Sequence, residues 1–79
     1  MQIILVFEST HNALTAEDIL RKNDVRLELL PTPRGISASC GISIKADIHY
    51  LPQIKALLEQ GPMRVQALYR EDKKQYVQI

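Results

Sequence analysis

A two-layer α+β fold is predicted for this 79-residue chain by three observations. Segments with a two-residue apolar period alternate with segments of helical period, the first segment is apolar almost throughout, and turn-forming or polar residues separate each from the next. That first segment, QIILVFE from Gln2 to Glu8, has the composition of a strand buried on both faces in the middle of a sheet. STHNALTAEDILRKN follows, with Ala13, Ala16, Ile19 and Leu20 at helical spacing. Ser9 or Thr10 is suited to cap its N-terminus, and Arg21 and Lys22 complement the helix dipole at its other end. VRLELLP alternates Val25, Leu27 and Leu29 against Arg26 and Glu28 and is stopped by Pro31.

GISIKAD repeats the two-residue period, with Ile42, Ile44 and Ala46 against Ser43 and Lys45. LPQIKALLEQG carries Pro52 near its first helical position, an apolar stripe of Leu51, Ile54, Leu57 and Leu58, and Gly61 as its terminator. MRVQALYR alternates Val65, Ala67 and Tyr69 against Arg64, Gln66 and Arg70. The order βαββαβ is that of the split βαβ, so the expected architecture is a ferredoxin-like two-layer sandwich with strand order 4-1-3-2. After the charged turn EDKK, the segment QYVQI (Gln75–Ile79) has room for a short extra strand, expected to pair with strand four or with a second copy of the chain as a homodimer.

A chain of this length forms one domain spanning residues 1–79, burying about 60% of its unfolded surface, without room for a deep active site and its own lid. The 46% hydrophobic fraction and net charge of +1 suit a packed globule and give no field for nucleic acid. Strand three, GISIKAD, also lacks the aromatic platform on which RNA-binding sheets stack bases. There is no apolar run of membrane-spanning length and no secretory pattern at Met1, and the single cysteine has no internal partner, so a cytoplasmic protein with a free thiol is expected. One cysteine and the dispersed His11 and His49 lack metal-ligand spacing, and the three glycines form no phosphate-binding fingerprint, so neither a metal nor a cofactor is expected. The serines lack a nucleophile elbow or an acid partner.

The chemistry concentrates in PTPRGISASCG, Pro31–Gly41, which sets Cys40 among small, polar and turn-forming residues. If strand three lies antiparallel beside strand one, Cys40 comes within about 8 Å of the backbone nitrogens of Thr10 to Asn12. A helix N-terminus favours the thiolate, the reactive form of cysteine. Arg34 in the loop and His11 in the first helical turn are placed to add positive charge or hydrogen bonds, and Gly41 leaves room for a second sulfur or a partner's backbone. His49 falls at the other end of strand three, so only His11 can serve Cys40.

Taken together, FESTHNALTAE (Phe7–Glu17), PTPRGISASCG and the chain length resemble a small bacterial family of selenium/sulfur carrier-like proteins, a domain of unknown function. The pairing of a Ser-Thr-His helix start (Ser9, Thr10, His11) with the Pro-x-Pro-Arg, Ser-x-x-Cys-Gly loop carries that resemblance. It implies a carrier without turnover of its own, holding sulfur or selenium on Cys40 as a persulfide or selenopersulfide, with Arg34, Ser37 and Gly41 as motif neighbours. Its partners would be a donor enzyme and an acceptor enzyme. Two other classes compete with this one. A thiol-exchange enzyme is disfavoured because no second cysteine is present to resolve a mixed disulfide. A protein-interaction or ligand-sensing regulatory module would use the fold and no thiol chemistry, the cysteine being a packed side chain.

Overall fold

The structure, a computed structural model, describes all residues from Met1 to Ile79. Strand β1 (Gln2–Val6) leads into helix α1 (Thr10–Lys22), strands β2 (Leu27–Pro31) and β3 (Ile42–Asp47), a single 3-10 turn at Ile48–Tyr50, helix α2 (Leu51–Gln60), and strands β4 (Ala67–Asp72) and β5 (Gln75–Gln78). The sheet runs β2-β3-β1-β4-β5, and every neighbouring pair is antiparallel. This corrects the expected βαββαβ ferredoxin-like sandwich: the sheet has five strands, and its C-terminal strand is a full member that pairs along Tyr69–Asp72.

The physical reason lies at the β4–β5 hairpin. Glu71 and Asp72, expected in a turn, continue β4, and the reversal is made by Lys73 and Lys74 alone, with φ of 49° and 69°. A two-residue turn with both φ values positive matches the twist of the strands it joins, so β5 is directed back along β4. Strand β4 is also shifted from the expected Met63–Arg70. Met63 instead packs in the core, and Leu68, omitted from the expected alternation, faces the helices and is buried.

Strand β1 holds the centre, and its residues Ile3, Ile4, Leu5 and Val6 are all fully buried, as is Phe7 just beyond it. The pleat sends Ile3, Leu5 and Phe7 to the helix-covered face, where they meet Ala13, Ala16 and Leu20 of α1, Ile54 and Leu57 of α2, and Ile44 and Ala46 of β3. On the opposite face Ile4 and Val6 are covered by a loop. Ile36, from the β2–β3 connection, packs on both, with Ala38, Ala67, Tyr69 and Tyr76 around it. The burial of β1 on both sides therefore comes from helices on one face and the Pro31–Gly41 loop on the other.

Ser9 is the N-cap of α1, its hydroxyl accepting from the Asn12 amide at 3.1 Å. That assignment leaves Thr10 as the first helical residue with its own hydroxyl free for another contact. At the other end Arg21 pairs with Glu17 and Lys22 with Asp18, each at 3.0 Å and one turn apart. Helix α2 begins with Pro52 in its first turn and ends at Gly61, whose φ of 103° few other residues adopt. No helix is long and apolar enough to cross a membrane.

Candidate functional site

Cys40 lies two residues before β3, at the sheet end where β1 passes into α1. Its amide donates to the Phe7 carbonyl at 3.2 Å. Its Sγ is 3.7 Å from the Thr10 hydroxyl and accepts from the Ile42 amide at 3.4 Å. The thiol thus sits at the first turn of α1, where the Thr10 and His11 amides have no acceptor within the helix. Two hydrogen-bonding neighbours and the first turn of α1 surround one sulfur atom.

The loop does not leave the thiol exposed. Cys40 is only 7% exposed and belongs to the main core. Cys40 precedes β3 and is held by its amide bond to the Phe7 carbonyl on the same side of the sheet as Ile44 and Ala46.

Of the other expected site residues, the structure brings Thr10 to the sulfur and Ser9 to the cap beside it. His11, Arg34 and Ser37 are exposed, and neither His11 nor Arg34 forms an ion pair. Gly41 is exposed, and a Cβ built there meets nothing within 4 Å. Neither crowding nor a positive φ requires glycine at this position. His49 is at the far end of β3, with its ring 2.7 Å from the Asp47 carboxylate and against Tyr50.

Residues that sequence reasoning passed over hold the loop in place. Thr32 donates its amide to the Gly41 carbonyl at 2.9 Å and its hydroxyl to the Cys40 carbonyl at 2.9 Å. Because that proton is committed, the 2.7 Å contact with the Ser43 hydroxyl must be a donation from Ser43, which is fully buried. The chain Ser43 to Thr32 to Cys40 closes the base of the loop. Further along, the Ser39 amide donates to Gln66 Oε1 at 3.1 Å, and a Cβ added to Gly35 would lie 3.1 Å from the Tyr76 ring. Thr32 lies within the loop motif and its position opposite Gly41 is a weak signal; Gln66 carries none, standing 27 residues from its partner.

A cavity of about 300 Å³ beside the α1 start is lined by Glu8, Asn12, Arg64 and Val65. A larger, shallow depression of about 460 Å³, bounded by Arg26, Glu28, Lys45, Asp47, His49 and Tyr50 among others, lies at the opposite end of the sheet from Cys40. No group of three His, Cys, Asp or Glu side chains converges anywhere in the chain.

Searches of curated proteins and of solved structures yield no match. A family model does match, over residues 2–70, which takes in the α1 start, the whole Pro31–Gly41 loop and Cys40 and stops short of β5. With most of its length covered by that match, the chain belongs to the family described as "Putative Se/S carrier protein-like".

Proposed function

We propose that this protein carries a transferable sulfur or selenium atom on Cys40, as a persulfide or selenopersulfide, between a donor and an acceptor enzyme in the cytoplasm. The observation that carries the reading is the position of the chain's one thiol: its Sγ lies against the Thr10 hydroxyl and the Ile42 amide at the N-terminus of α1, in a chain of the Se/S carrier-like family. In loading, the Cys40 thiolate attacks the outer sulfur of a donor persulfide, a new S–S bond forms, and the donor leaves as its thiolate. In unloading, an acceptor nucleophile attacks the outer atom on Cys40, and Cys40 leaves as the thiolate. No external oxidant or reductant enters either step; Cys40 is the attacking thiolate in loading and the leaving thiolate in unloading, and at rest its sulfur faces the helix end and its two hydrogen-bonding neighbours. Arg34, Ser37 and Gly41 are exposed and offer surface to a docking enzyme, as does His11 in the first turn of α1; a homodimer would pair through the β5 edge.

The burial of Cys40 favours a second reading, a regulatory or protein-interaction module in which the thiol is only a core side chain. Intact-mass measurement separates the two. After incubation with a cysteine desulfurase and cysteine, the carrier gains the mass of one sulfur atom, the gain is reversed by reductant, and Cys40→Ser gains nothing while keeping its fold. An unchanged mass in the unsubstituted protein under conditions where iodoacetamide does label Cys40 would reject the carrier reading.

A further inference from the structure

We propose that the Gln66 side chain is a clasp that sets access to the Cys40 thiol. The inference concerns access and not cargo, so it stands or falls separately from the carrier reading. With Cys40 only 7% exposed, access to Sγ is set by outward movement of the segment before β3.

The ties that resist this swing fall into three groups. At the base, Thr32 is bonded to Gly41 and to the Cys40 carbonyl, with Ser43 behind it. At the crown, Ile36 is 5% exposed on Ile4 and Val6, and Gly35 abuts Tyr76. Between them Ser37 and Ser39 are exposed, and three contacts tie this stretch to the body: Ser39 N–H to Gln66 Oε1 at 3.1 Å, Cys40 N–H to the Phe7 carbonyl at 3.2 Å, and Cys40 Sγ with the Thr10 hydroxyl at 3.7 Å. Gln66 is itself rooted, its amide donating to the Val6 carbonyl at 2.7 Å. Consecutive carbonyls at the end of β1 therefore hold Gln66 and Cys40, and the glutamine side chain bridges to the residue next to the thiol. Of these ties, the one from Gln66 is exposed to water, which competes for it and places it at the low-stability end of the fold. Gly41, with open space around its Cβ position, lets the segment pivot without a clash.

Gln66→Met keeps length and shape and deletes the acceptor. When reclosing is faster than labelling, the alkylation rate follows the open population, and loss of one exposed neutral hydrogen bond raises that population about 2- to 10-fold. The experiment measures iodoacetamide labelling of Cys40 and amide hydrogen exchange on the full chain. Gln66→Met is expected to label that much faster, with exchange at Ser39 and Cys40 rising by a similar factor and exchange at Thr32 and Ile36 unchanged. Gln66→Glu retains an acceptor oxygen and restores protection at Ser39. Gln53→Met, which removes a comparable 2.8 Å bond to the Asn23 carbonyl, leaves Cys40 labelling at the parent rate. An unchanged labelling rate in Gln66→Met, or a rise in exchange shared equally by all amides, overturns the proposal.

Discussion

Replacing Thr32 with valine tests the closure of the cysteine loop at its most buried polar contact. The substitution preserves shape and removes one hydroxyl that serves two bonds, a donation to the Cys40 carbonyl at 2.9 Å and an acceptance from Ser43 at 2.7 Å. The larger loss is indirect, because Ser43 is fully buried and Thr32 is its hydrogen-bond partner. Stranding a buried hydroxyl costs about 1–3 kcal/mol, and the lost bond to the carbonyl adds about 1 kcal/mol, so Thr32→Val should destabilise the fold by about 2–4 kcal/mol. For a domain of this size that is a fall in Tm of about 10–30 °C. Ser43→Ala alone removes the donor and leaves Thr32 bonded to Cys40, at a cost of about 1 kcal/mol. The double variant no longer strands anything, so it should be no less stable than Thr32→Val, and the cycle should be non-additive by about 1 kcal/mol or more. Urea unfolding of the parent, both single variants and the double variant gives the four energies. Strict additivity, or a Thr32→Val protein within about 0.5 kcal/mol of the parent, would refute the account of Ser43 as a donor that depends on Thr32.

Further outcomes are expected elsewhere in the chain. At the β4–β5 turn, Lys73 and Lys74 occupy the left-handed region, which suits Asn-Gly far better; Lys73→Asn with Lys74→Gly should raise stability by about 1–2 kcal/mol in the same assay, and no gain would count against the turn geometry. Asp47 has its pKa lowered from 3.8, first by the backbone amide of His49 and then by that residue's side chain. Its contribution is therefore complete above the ordinary value and lost as pH falls through the lowered one, so the Tm gap between Asp47→Asn and the parent should close as pH falls below 3.8. Tyr76 has its pKa raised from 10.0, first by burial and then by the charge of Glu71. The unfolded chain ionises there before the folded one, so stability should fall as pH rises above 10.0, and Tyr76→Phe should fall less steeply in alkaline thermal scans.

The sequence by itself determined the elements whose signals are local. The apolar spacing of Ala13, Ala16 and Leu20, the Ser9 cap and the Arg21–Lys22 end define α1 through contacts three or four residues apart, and all are seen. Pro52 and Gly61 bracket α2 in the same way, and the unbroken run from Ile3 to Phe7 marks a strand covered on both sides. The loop motif also directed attention to Cys40 and to the helix start beside it. Tertiary structure decided the rest, because the deciding partners are distant in the chain and chemically ordinary. Whether the sheet had four strands or five rested on Lys73 and Lys74 adopting a conformation that lysine does not favour, with Tyr76 packing near the loop some forty positions earlier as its compensation. Thr32, Ser43 and Gln66 have no motif of their own; each acquires a role only when the loop folds over Ile4 and Val6 and sets its amides and hydroxyls against theirs. Even the burial of the thiol is tertiary, since Cys40 precedes β3 and is held among the helix-side residues by its amide bond to the Phe7 carbonyl, 33 positions away in the chain.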